Sequence, residues 1–86
     1  MNTFIHIGFG NFVQASHIIS IVRADSAPIK RLVSQAKDKQ TSVDATQGRK
    51  TKSVIIASDG RVILSALLPE TIANRLGQLE GSEKDD

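Results

Sequence analysis

The chain has 86 residues, with 11 Lys/Arg against 9 Asp/Glu, a formal net charge of +2, and no Cys, Trp or Tyr. A chain this short forms one domain with a small core, which oligomerisation would help to stabilise. The missing Cys excludes disulfides and thiolate metal ligands and fits a reducing compartment. The N-terminus has no basic stretch followed by a long apolar one, and no segment approaches the roughly 20 apolar residues of a membrane span, so the sequence reads as cytoplasmic and free of membrane.

In chain order, Thr3 to Ile7 reads as a strand and Gly8-Phe9-Gly10-Asn11 as a turn whose two glycines are free to take positive φ. Phe12 and Val13 begin a further strand or form a bulge. Ile18-Ile19-Ser20-Ile21-Val22 is too β-branched and too short for a helix, and is a strand. Asp25-Ser26-Ala27-Pro28 is a helix start, because Asp25 or Ser26 can accept free N–H groups of a first turn in which Pro28 loses nothing. Ile29, Leu32, Val33 and Ala36 then fall on one helical face, and the helix ends near Lys39 or Gln40. Val43 to Thr46 is a short strand, Gln47-Gly48 a turn, and Thr51 to Ala57 a longer strand. Asp59-Gly60 joins that strand to Arg61 to Leu67 as a hairpin. Leu68-Pro69-Glu70 leads into a second helix with Ile72, Ala73 and Leu76 on its apolar face. The order β-β-α-β-β-β-α is that of an α+β domain, a small mainly antiparallel sheet with two helices, over residues 1–76. Residues 77–86 are expected to be a disordered acidic tail.

Charge divides along the same line. Residues 1–76 hold ten Lys/Arg and five acids, while 77–86 hold Glu80, Glu83, Asp85 and Asp86 against Lys84 alone. A basic body suits an anionic partner. The densest cluster is Arg49, Lys50 and Lys52, between a Gly-containing turn and a run of β-branched residues. On a regular strand Lys50 and Lys52 would share a face and Arg49 would point the other way or into the turn. Cations at the mouth of a strand either keep an edge soluble or hold a polyanion. Without Trp or Tyr to stack on bases, contact with a duplex backbone fits better than single-strand binding.

Motifs for other chemistry fail on context. Gly8-Phe9-Gly10-Asn11-Phe12-Val13 follows a strand as a dinucleotide loop would, but Val13 stands where the third glycine is needed and no helix opens there. Phe9 and Phe12 are better placed in a core or a contact between subunits. Gly48-Arg49-Lys50-Thr51 has the Lys-Thr pair of a phosphate loop without its earlier glycine, and leads into a strand. His6 and His17 lack metal-ligand spacing, and neighbouring residues such as Ser16 and His17 point to opposite faces of a strand, so neither a metal site nor a nucleophile-base pair is indicated. Asp44 has no evident local role beyond pairing with Arg49 or Lys50. The expectation is a protein without catalytic residues, cofactor or small-molecule substrate.

Four blocks, Ile7-Gly8-Phe9-Gly10-Asn11, Ser26-Ala27-Pro28-Ile29-Lys30-Arg31, Asp44-Ala45-Thr46 with Gly48-Arg49, and Ile63-Leu64-Ser65-Ala66 with Pro69-Glu70-Thr71, occur in an order and spacing that resemble the bacterial RemA family of extracellular-matrix regulators. The resemblance spans about residues 3 to 76. It implies a DNA-binding transcriptional regulator with a LytTR-related fold and no helix-turn-helix. It also implies a ring of about eight subunits that wraps double-stranded DNA, working at the nucleoid to activate biofilm matrix genes. The family's DNA-contacting positions correspond to Arg49, to Lys50, where Arg is usual, and to His17, where Arg is also usual. Lys50 keeps the charge without the guanidinium fork, and His17 keeps a hydrogen-bonding edge. Arg23 and Lys52 are then expected to make up part of the charge, and Phe9 and Phe12 to serve the oligomer. Two competing readings are an oligomeric adaptor for an acidic protein and a nucleotide or small-ligand sensor using Gly8 and Gly10.

Overall fold

A computed structural model of the chain describes the backbone of residues 3–83 and the side chains of residues 3–78. In order, the described residues form β1 (Phe4–Gly8), β2 (Asn11–Gln14), a 3-10 turn (Ala15–His17), β3 (Ile18–Arg23), α1 (Ala27–Asp38), β4 (Ser42–Asp44), β5 (Ser53–Ala57), β6 (Val62–Ser65) and α2 (Pro69–Glu83). This is an α+β fold with mainly antiparallel sheets. β1 and β2 make a two-stranded antiparallel sheet, and the second sheet has the order β3-β5-β6-β4, in which only β4 and β6 run parallel.

Three strands precede α1 where the sequence suggests two, with Phe12 and Val13 beginning a further strand or forming a bulge; they lie in a strand, β2. β1 and β2 are joined by Phe9-Gly10 alone, with φ of 55° and 77°. Positive φ at both central residues belongs to the I′ class, whose twist matches that of the strands it links. Gly8, with φ of 113°, absorbs the register shift between His6 and Gly8. The Asn11 side chain closes the turn by donating to the Gly8 carbonyl at 3.0 Å.

The four-stranded sheet is covered on both faces, which explains its almost continuous apolar strands. Val54, Val62 and Leu64 face α1, where Ile29, Leu32, Val33 and Ala36 form the stripe read from the sequence. Ile55 and Ile63, one residue out of phase, face the opposite side with Ile7 of the hairpin and Ile72 of α2. Complete burial of Ile55 and Ile72 contributes about 1.5–3 kcal/mol each. Ser26, rather than Asp25, caps α1 by accepting the Ile29 N–H at 3.4 Å, with Pro28 in the first turn. On α2, Ala73 is exposed, and half-buried Arg75 faces the hairpin with Ile72 and Leu76, donating to the His6 carbonyl. α2 continues to Glu83, past Leu76 where the sequence pattern fades. Gly77 and Gly81 lower helix propensity without ending the helix. Residues 77–83 of the expected disordered tail therefore lie in this helix, and 84–86 lie outside the described residues.

Two buried hydroxyls connect the layers. Ser53 and Ser65 are directly opposed on β5 and β6, and neither has any exposed surface. Ser65 donates to the Ile7 carbonyl at 2.8 Å and accepts the Leu67 N–H at 3.1 Å, while Ser53 donates to the Leu67 carbonyl at 2.8 Å. Ser65→Ala leaves the Ile7 carbonyl and the Leu67 N–H without these partners. It is expected to lower stability by about 1–3 kcal/mol in urea denaturation, with the secondary structure retained.

Candidate functional site

Residues 45–52 connect β4 to β5 as an irregular loop, although the sequence suggests that strands extend into it from both ends. Asp44 explains the early end of β4. Its Oδ1 accepts both the Thr46 N–H at 2.9 Å and the Thr46 hydroxyl at 2.6 Å, which turns the chain locally in place of strand pairing. Asp44 therefore serves Thr46, and the expected pairing with Arg49 or Lys50 gives way to this. The Thr46 hydroxyl and then its N–H hold the Asp44 carboxyl below its ordinary value of 3.8, against a smaller opposing effect of burial and with the least help from the Lys37 charge.

Thr46, almost fully buried, begins a second turn in which its carbonyl accepts the Arg49 N–H at 2.9 Å. Gln47 and Gly48, at φ of 54° and 77°, repeat the conformation of Phe9 and Gly10. Both ends of the loop are fastened to β6: the Ala45 N–H donates to Leu64 and the Lys52 N–H to Ser65, each at 2.9 Å. Three exposed cations therefore stand on a fixed base.

Arg49 does not oppose the two lysines as a regular strand would require. Between Gly48 and Ser53 the chain follows no strand, and Arg49, Lys50 and Lys52 line one cavity of about 300 Å³ with Phe9. The Arg49 guanidinium lies over the Phe9 ring, 5.6 Å from its centroid, within cation–π range. Phe9, expected at an oligomer contact, here supports a cation. The distinguishing signal in the sequence is the glycine pair around it, which permits the positive φ that brings the ring to the loop.

Arg23 joins the same surface. It lines an adjoining cavity of about 320 Å³ with Lys50 and Lys52, where Asp25 and Glu70 are the acids. Its bond to Asp25, at 2.8 Å between two exposed groups, contributes little to stability. His17 lies elsewhere. It is exposed in the 3-10 turn at the other end of β3, with its carbonyl bonded to the Ser58 N–H, roughly 20 Å along the strand from Arg23. Phe12 is exposed on the hairpin, its ring 5.1 Å from that of His6, and Phe4 and Ile19 are also exposed apolar residues.

Among the described residues no group of three or more His, Asp or Glu could hold a metal ion, and no helix is long and apolar enough to cross a membrane. A surface of clustered cations around an arginine held on an aromatic ring suits the binding of an extended anion.

Comparison with known proteins agrees with a regulatory role. A family model described as RemA-like, extracellular matrix regulatory protein A-like, matches residues 4–76. A protein of Lachnoclostridium phytofermentans named for an inferred regulatory role is 55% identical over 86 residues, covering 100% of this chain and 94% of its own. Similarly named proteins of Carboxydothermus hydrogenoformans and Desulforamulus reducens are 56% and 52% identical over 82 residues, or 95% of this chain and 94% and 91% of theirs.

Two outcomes are expected of this loop. Folded Asp44 binds its proton more weakly than unfolded Asp44, so its contribution to stability is complete well above the ordinary carboxylate value and is lost as pH falls through the lowered folded-state value. Asp44→Asn should accordingly be less stable than the parent chain near neutrality, with the difference closing on strong acidification, as read from urea midpoints. Phe9→Leu, which removes the ring but not the apolar bulk, should loosen Arg49, seen as a lower order parameter at its Nε in NMR relaxation.

Proposed function

This chain belongs to the RemA-like family of extracellular matrix regulatory proteins, and on that footing we propose that it is a transcriptional regulator that binds duplex DNA through the cationic loop. The observation that carries the reading is the gathering of Arg49, Lys50 and Lys52 on one fastened loop, with Arg23 beside them. Arg49 offers a planar fork to phosphate and the lysines offer point charges. His17, a strand length away, is a separate contact that offers an imidazole edge to another part of the backbone.

One subunit presents few contacts, so the proposal includes self-association. Phe4, Phe12 and Ile19 supply exposed apolar surface for it, and Phe9 borders the loop. A closed ring of about eight copies would repeat the patch around a circle, convert successive contacts into intramolecular ones, and let duplex wrap the outside. Phosphate contacts carry no sequence information directly, so target choice in this reading comes mainly from DNA shape and bendability. The regulated genes would be those of the extracellular matrix that holds a biofilm together, and the protein would act in the cytoplasm at the nucleoid.

Arg49→Ala with Lys50→Ala, in every subunit, is expected to weaken binding to a long duplex by at least about tenfold. It should also flatten the dependence of log affinity on log salt by about 0.9 for each contact removed. Gel shifts across a salt series measure both, and an unchanged affinity with an unchanged slope would remove the loop from the site.

A further inference from the structure

The cavity that holds Arg23, Lys50 and Lys52 continues beyond the loop. Ala24 and Thr51 line it on one side and also line a third cavity, of about 380 Å³, on the other. The far wall of this third cavity is α1, which contributes Lys30, Ser34 and Lys37. These positions are spaced i, i+4 and i+7, so they stack on one helix face, beside the stripe that meets the sheet, whose Val33 also lines the cavity. No acidic residue lines this part of the groove. From Phe9 to Lys37 the three cavities form one band with six cations, Arg49, Lys50, Lys52, Arg23, Lys30 and Lys37, against the carboxylates Asp25 and Glu70.

Two features of α1 set this face apart from a merely solvated one. Its first turn contains no acid and includes Lys30, although the helix dipole disfavours a cation there. The Lys30 charge is therefore held against the helix's own preference, and it adds to the field of the groove. Lys37, at the other end, is close enough to the loop for its charge to act on Asp44.

We infer that the Lys30–Ser34–Lys37 face of α1 is a second phosphate-contacting surface, continuous with the cationic loop, so that the duplex crosses each subunit from the Phe9 turn to helix α1. The inference rests on the reading of the chain as a duplex binder. Lys30 and Lys37 are two helical turns apart, about 10 Å, so their long side chains can reach separate phosphates of one strand. The Ser34 hydroxyl between them can donate to an intervening phosphate oxygen.

The test compares two double variants of the full chain with equal loss of charge, Lys30→Gln with Lys37→Gln and Arg31→Gln with Lys39→Gln. The second pair lies at the same helix but outside the groove. All four side chains are exposed, so both variants are expected to fold, which circular dichroism checks. Binding to one long duplex is followed across salt. The groove pair is expected to lose affinity by about fivefold or more and to flatten the salt slope by about 0.9 per lost contact, with Arg49 and Lys50 intact. The off-groove pair should stay within about twofold of the parent. Equal losses from both pairs would mean that bulk charge alone matters, and no loss from the groove pair would mean that α1 does not touch DNA. Either result overturns the inference while leaving the loop's role standing. A parent chain that binds no duplex at any salt overturns the proposed function and this extension together.

Discussion

Two consecutive carbonyls of β6, those of Leu64 and Ser65, receive the N–H groups of Ala45 and Lys52, and the placement of the loop's cations, Arg49, Lys50 and Lys52, depends on that pair of bonds. A loop of this length, free at both ends, would spread its arginine and lysines over many conformations and lose ordering entropy whenever an anion bound. Held at both ends by one strand, it has already undergone most of that ordering in the folded protein. The Ser65 side chain extends the same anchor in the other direction, to Ile7, so the hairpin that carries Phe9 and the loop that carries Arg49 are referred to one residue.

Both partners in the Phe9–Arg49 contact stand on turns of the same strained kind. Phe9 and Gln47 are non-glycine residues at positive φ, each followed by a glycine, and such conformations cost on the order of 1 kcal/mol or more. Two such turns meeting face to face keep the guanidinium at the surface and directed by the ring, instead of folded against the nearest carboxylate. Arg23 shows the alternative: it pairs with Asp25 two residues along and brings less free charge to the groove.

Much of the fold is written in local patterns. The α1 stripe with its Ser-Ala-Pro start, the Asp59-Gly60 hairpin and the β-branched β3 each follow from spacing and turn chemistry, and each appears where the residues place it. The first hairpin is less legible because Phe occupies a position where Asn, Asp or Gly usually signals a two-residue turn. The place of β4 is also hidden, since its parallel partner lies beyond an intervening strand and no local pattern encodes that pairing. At the site, the cations are conspicuous in the sequence but their directions are not. Arg49 shares one cavity with Lys50 and Lys52 on a loop that opens where Asp44 bonds to Thr46 and β4 ends, a side-chain bond that periodicity does not register. Family resemblance singles out His17 together with Arg49 and Lys50, but only the folded chain shows it a strand length away, at the far end of β3.

The position of β6 in the chain has a consequence for the protein's birth. The strand that shapes the cationic loop follows it in sequence, so a ribosome releases Arg49, Lys50 and Lys52 before the residues that fix them have emerged. Until Leu64 and Ser65 leave the exit tunnel and β6 docks between β4 and β5, the cations belong to an open chain, and contacts so distant in sequence are slow to form. The groove thus matures late in synthesis, and a chain still short of β6 carries the charge of the finished protein's loop without its geometry.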